Sequence, residues 1–169
     1  MNRLEYLFRS ERLSVTRFDH QPGPANLDPE EEVCRDYAIH FVESGSFRLG
    51  TQAGSWLLST GAAFISRPGA VHCYSHEEQT PSDVCVSVRF SERFFAEARG
   101  TDEPLPHDIP AALAPTNRLS FLRLLLTNLI ATADGLALEG LACEMISAIR
   151  SVGDCGRLYR ARHRRPAPA

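Results

Sequence analysis

The spacing of hydrophobic and polar residues changes near residue 91, from a period of two to a helical period. In 13–20 (LSVTRFDH), Leu13 and Val15 alternate with Ser14 and Thr16, which predicts a strand. The strongest strand pattern is 34–43 (CRDYAIHFVE). It places Tyr37, Ile39 and Phe41 on one face and Cys34, Asp36, Ala38, His40 and Val42 on the other. Ser44 and Gly45 read as a turn into SFRLG. Further turns at 50–54 and 60–61 set off SWLLS and AAFISR, and Pro68-Gly69 leads into AVHCYSH. DVCVSVRF closes the series, with Val84, Val86, Val88 and Phe90 alternating against Cys85, Ser87 and Arg89. The segment 21–32 carries three prolines and reads as a loop. Six to eight short strands separated by turn signals predict an antiparallel sandwich or barrel.

Beyond residue 91 the pattern is helical. Ser91 is placed to cap a short helix over SERFFAEAR, ended by Gly100, and 101–115, with four prolines, reads as a connection. Thr116 caps a helix to about Ala133, with a wide apolar stripe of Leu119, Leu122, Leu125, Leu126, Leu129 and Ile130 that Phe121 and Leu124 widen further. Asp134-Gly135 breaks the chain. A second helix from about Leu136 to Val152 repeats Leu138, Leu141, Ala142, Met145, Ile149 and Val152 at three- and four-residue spacing, with Gly153 after it. The expectation is a barrel over 13–90 and an antiparallel helical hairpin within 91–153, in a single domain 1–153 followed by a basic tail, 154–169. The surplus apolar surface predicts a homodimer contact through Leu119, Leu122, Leu126, Leu129, Leu141 and Met145; the alternative is that the pair only covers the barrel.

Length and charge narrow the function classes. A chain of 169 residues can bury a core that needs neither disulfides nor structural metal. It has no apolar run of membrane-spanning length and no signal-peptide pattern, and its five scattered cysteines form no Cys-x-x-Cys pair, which together predict a cytoplasmic protein with free thiols and no membrane partner. All 18 basic residues are arginine, and five of them fall in the last 13 residues. The remainder carries 13 arginines against 21 acids, a net −8, which argues against direct nucleic-acid binding by the folded part. The tail reads as a solvated linker, with a phosphate-contacting arm as the alternative.

No phosphate-binding glycine loop, Gly-x-Ser-x-Gly elbow or His-Glu-x-x-His pair is present. Two segments carry a more specific pattern: Tyr37, Ile39, Phe41, Val42 and Gly45, then Gly61, Phe64, Ile65, Pro68, Gly69 and His72. In this order, and with the helical hairpin after them, they resemble the cupin double-stranded β-helix, a jelly-roll barrel, and more specifically the sensor domain of AraC-type transcription regulators. The resemblance spans 13 to about 153. It implies a small-molecule effector bound in the barrel, for which Cys34, Asp36, His40, Trp56, His72 and Tyr74 are the candidates (Trp56 equally a core residue), a homodimer, an N-terminal arm within 1–12, and no catalytic step. It also implies that DNA is contacted only through a helix-turn-helix part missing from this chain, so that the sequence is an isolated sensor domain or a truncated product.

The cupin metal positions fall on Glu32, Cys34, Ala38 and His72, of which only His72 keeps its ligand, so the resemblance implies that the inherited site is lost and no cofactor is held. The alternative is a small metal-dependent cupin enzyme with a site rebuilt from Cys34, His40 and His72. His76, at a strand end, is expected to be solvated. Cys85 reads as a small core residue, or alternatively as a redox-sensing thiol with its pKa lowered by Arg89 or a histidine. Arg48 and Arg89, if inward, would hold a carboxylate ligand.

Overall fold

The computed structural model describes residues 3–21, 30–76, 82–103, 105, 109 and 111–151. Its strands are β1 (Arg3–Arg9), β2 (Leu13–His20), β3 (Glu31–Val33), β4 (Tyr37–Thr51), β5 (Gly54–Ser59), β6 (Ala63–Ser66), β7 (Val71–Ser75), β8 (Asp83–Phe90) and β9 (Ala112–Leu113). Helix α1 (Glu92–Arg99) precedes β9, and α2 (Asn117–Thr132) and α3 (Gly135–Ser151) follow it. The architecture is therefore the expected one, mainly antiparallel β followed by helices.

Strand pairing forms two antiparallel sheets that share β4. The first runs β1-β2-β8-β4-β6-β9 and the second groups β3, β7 and β5 around the far half of β4. Residues 37–45 of β4 pair with β8, and 38–41 with β6; residues 46–51 pair with β5, and 48–51 with β7. The turn expected at Ser44 and Gly45 is instead a bulge inside this one strand, where the register with β8 shifts between Val42 and Ser44. Glycine at φ +77° serves either purpose, which is why the local signal was ambiguous. Two further expectations change. Residues of the expected N-terminal arm form β1, paired antiparallel to β2, and Glu31 and Glu32 of the expected loop, with Val33 after them, pair with β7.

The bulge also reverses which face each residue takes. Ala38, His40 and Val42 share one face before it, and Phe47 and Leu49 continue that interior after it. Val42, Phe47, Leu49, Trp56, Leu58, Ala62, Phe64 and Cys85, drawn from both sheets, make one core cluster. The opposite parity, including Val15, Ile39, Phe41, Ile65 and Val88, packs with the helices into a second cluster.

Local capping sets the helix ends. The Ser91 side chain accepts a hydrogen bond from the Phe94 amide, and Gly100 closes α1 in the left-handed conformation. Thr116 Oγ1 accepts from the Leu119 amide, and Asp134 Oδ1 from that of Ala137, so each hairpin helix starts on a side-chain cap. Gly153 and the basic tail 154–169 lie outside the described residues. Leu119, Leu122, Leu126, Leu141 and Met145 are buried to 4% exposure or less inside this chain's own core, and Leu129 packs against it. This corrects the expected interface role of those five buried residues, because a side chain with no free surface has none to offer a second copy, whereas Leu129 keeps part of its surface. Burial of each such side chain is worth about 1.5–3 kcal/mol. By contrast, the exposed Arg12 pairs with Glu97 and Glu139 (3.2 Å each) are weak ties to the helical layer.

A methyl group at Gly45 would run into the Ser82 carbonyl oxygen and lie 2.8 Å from Asp83 Cα, whereas at Gly69, also in the left-handed region, it would meet nothing within 4 Å. Gly69→Ala is expected to cost about 1–2 kcal/mol from backbone strain alone. Gly45→Ala should cost at least about 2 kcal/mol more, since backbone atoms must move. Urea denaturation of both variants checks the difference; equal losses would show that the bulge is not tightly packed.

Candidate functional site

The interior between the sheets holds polar side chains because the even-numbered face of β4 before the bulge meets β6 and β8 there, and β7 pairs with β4 beyond it. His40 on β4 stands opposite Ser87 of β8 and Phe64 of β6 in register. Its Nδ1 lies 2.7 Å from Ser87 Oγ and its Nε2 3.0 Å from Ser66 Oγ, and its ring stacks on Phe64 with centroids 4.2 Å apart. Ser66 donates its one hydroxyl proton to the Asp36 carbonyl (3.3 Å), so it accepts from His40 Nε2–H, and Nδ1 then accepts from the Ser87 hydroxyl. Both nitrogens of a neutral imidazole are thereby satisfied. Burial, reinforced by Arg89 and His72, lowers the His40 pKa to about 3.

His72 and Tyr74 alternate on β7 and meet through His72 Nδ1 and the Tyr74 hydroxyl at 3.0 Å. Burial, then Arg67, lowers the His72 pKa, and burial raises that of Tyr74 well above its ordinary range. The pair is therefore a neutral imidazole and a phenol, beside Phe64 and Phe47. Such a set offers neutral hydrogen-bonding groups and aromatic faces, the surface suited to a small polar or aromatic molecule.

Of the six expected ligand residues, His40, His72, Tyr74 and Trp56 belong to this interior, with Trp56 buried in the core cluster. Asp36 does not. It precedes β4, is exposed, and faces Arg89 at 3.8 Å on the surface, which also takes Arg89 away from any inward carboxylate site. Cys34 is half-buried, and burial together with Glu32 raises its pKa to about 11, so it remains a thiol. The rebuilt Cys34, His40 and His72 metal site is not assembled: His40 spends both nitrogens on serines, and the trio does not gather its donor atoms. Cys85 is likewise a buried thiol, its pKa raised by burial and by Asp83, which removes the thiolate that a redox sensor requires.

What the residue pattern missed is a second polar cluster. His76, expected in solvent, is 7% exposed, and its Nε2 lies 2.5 Å from Asp83 Oδ1, with His20 Nδ1 3.3 Å from the same oxygen. The Cys85 thiol donates to Asp83 Oδ2 at 3.2 Å. Burial works against ionising Asp83, yet the two imidazoles and the thiol hold its carboxyl below the usual range. One signal was available: β2 and β8 are both eight residues long and pair end to end, which sets His20 opposite Asp83. A groove of about 480 Å³ lies elsewhere, between β1, β2 and α2, with Arg3, Arg17, Glu43 and Arg123 in its walls. No helix among the described residues is long and apolar enough to cross a membrane.

No protein-family model matches the chain, and no curated protein matches it. Solved structures do show similarity at low identity. The cupin domain of Cnp3 from Schizosaccharomyces pombe is 12% identical with a TM-score of 0.48, covering 60% of this chain and 73% of that one. A cupin superfamily protein from Desulfitobacterium hafniense is 12% identical with a TM-score of 0.44, over 53% of this chain and 77% of that one. The EutQ protein of Clostridium difficile is 15% identical with a TM-score of 0.43, over 53% and 67%.

The buried neutral imidazole makes a pH prediction. With a folded pKa near 3, below the ordinary value of 6.5, His40 takes up a proton in the unfolded chain but not in the folded one as pH falls from about 6.5 to about 3. Its contribution to stability is complete above about pH 6.5 and declines below it, by up to about 1.4 kcal/mol per pH unit. Urea denaturation at pH 7.5 and 5 should show this decline in the wild type and a shallower one in His40→Gln. An unchanged slope in that variant would assign the acid sensitivity to other groups.

Proposed function

We propose that this chain is the effector-binding and dimerisation part of an AraC-type transcription regulator. It takes a small molecule into the barrel at His40, His72, Tyr74 and Trp56 and controls an appended helix-turn-helix domain, without catalysing a reaction. The observation that carries this reading is the double apolar face of α2. Leu119, Leu122 and Leu126 are spent on the chain's own core, yet Phe121 and Leu124 remain 62% and 58% exposed on the other side. Exposed large apolar side chains one turn apart fit a two-fold contact with a second copy of the same helix. A pairing that uses Phe121 and Leu124 does not engage the interior residues assigned to the effector. The neutral polar groups there and the aromatic neighbours suit an organic molecule, and regulation follows if that molecule binds two dimer arrangements with different affinity. The alternative of a metal-dependent enzyme on Cys34, His40 and His72 loses its support with the separation of those residues.

Sedimentation equilibrium of the wild type is expected to show a dimer, and Phe121→Glu combined with Leu124→Glu a monomer of nearly unchanged melting temperature. In contrast, Leu122→Ala should destabilise by about 2–5 kcal/mol, as a core truncation does. A wild type that is monomeric at tens of micromolar, or a double variant that remains dimeric, would overturn this use of α2. Thermal-shift screening with small organic molecules tests the effector half. A compound that stabilises the wild type should lose most of its shift in Tyr74→Phe and His72→Ala.

A further inference from the structure

Beyond that reading, and independently of it, we infer that His20, His76 and Asp83 form a binding site for one divalent transition-metal ion. They meet where three strands end: His20 is the last residue of β2, His76 follows β7, and Asp83 opens β8. One donor atom from each lies within 4.8 Å of the other two. Bonds of about 2.0–2.2 Å from an ion to nitrogen and oxygen separate neighbouring donors by about 3.0–3.4 Å. The His20 Nδ1 to Asp83 Oδ1 distance, 3.3 Å, is already in that range, and the 2.5 Å contact of His76 must open to admit an ion.

Four further features favour an ion over a simple hydrogen-bond cluster. His20 Nδ1 is buried and in ion-pair range of Asp83 Oδ1 but makes no aligned hydrogen bond to it, so it is a donor nitrogen aimed into the site. The Cys85 thiol occupies Asp83 Oδ2, which leaves Oδ1 facing the two imidazoles as a single ligand oxygen. His76 and Asp83 are almost fully buried, while a quarter of the His20 side chain reaches solvent and gives the ion a way in. Phe18 packs edge-on against the His20 ring at 4.3 Å and fixes its direction. Two imidazoles and one carboxylate select zinc, iron(II), cobalt(II) or manganese over calcium or magnesium, and three protein ligands leave positions for water or an anionic ligand. None of the three residues stands at a metal position of the cupin pattern.

The test uses the full chain after chelator treatment, titrated with Zn²⁺ by calorimetry and with Co²⁺ by visible absorption at pH 7.5. The expected result is one equivalent of either ion, with d–d bands for cobalt and no thiolate charge-transfer band. His20→Ala and His76→Gln should each weaken the dissociation constant at least tenfold, and His72→Ala and Cys34→Ser should leave it within twofold. Absence of cobalt bands at one equivalent, a thiolate band, or binding that survives both histidine variants overturns the inference. If a variant fails to fold, the wild-type cobalt spectrum decides alone. Loss of this site would leave the oligomer and organic-effector results as they stand.

Discussion

Strand β4 hydrogen-bonds into both sheets, and a continuous strand can do this with an apolar interior only if its side-chain parity changes where it passes from one to the other. The bulge between Val42 and Ser44 supplies that change. Without it, Phe47 and Leu49 would turn outward while His40 and Val42 stayed inside. With it, one strand lines the interior along its whole length and joins β6 and β8 to β5 and β7. Gly45 is the residue that permits the bulge, since its left-handed backbone packs against Ser82 and Asp83 with no room for a side chain.

The same constraint positions the polar groups. Asp83 lies between β2 and β4, paired with His20 on one side and Gly45 on the other, so the close approach at the bulge also sets the carboxylate against the imidazoles. Farther along β4, His40 is held between two serines and stays neutral. One interior therefore contains two electrostatic settings: neutral hydrogen-bonded groups around His40, His72 and Tyr74, and an ionised carboxylate among His20, His76 and Cys85. The first suits an organic molecule and the second a cation. Their chemistry differs because charge is tolerated in a buried site only where counter-groups surround it.

The helices answer a different need. The outer face of the first sheet is apolar, and α1, α2 and α3 cover it with the leucines that periodicity alone would equally assign to a dimer seam. Once those side chains are spent, the exposed large apolar side chains of α2 are Phe121 and Leu124, beside the half-buried Leu125, Leu129 and Ile130, and association through α2 rests on them.

The residues alone determined the local structure. Strands 13–20 and 83–90 are legible to the residue because alternation, strict in 83–90 and partial in 13–20, runs between turn signals, and Ser91, Gly100 and Thr116 mark helix ends by capping chemistry that acts within three or four residues. They also put His72 and Tyr74 on one face of a strand, and His40 on a face shared with Asp36, since parity follows from the strand itself, but which face turns inward does not. Only the tertiary structure decided the rest. A Ser-Gly pair at positive φ suits a turn or a bulge alike, and pairing partners far along the chain chose the bulge. An apolar stripe requires a cover without naming it, so whether Leu119 and Leu126 met this chain or another was settled by packing. The association of His20, His76 and Asp83 joins residues up to 63 positions apart through strand register and the approach of two sheets, and no local pattern encodes that distance.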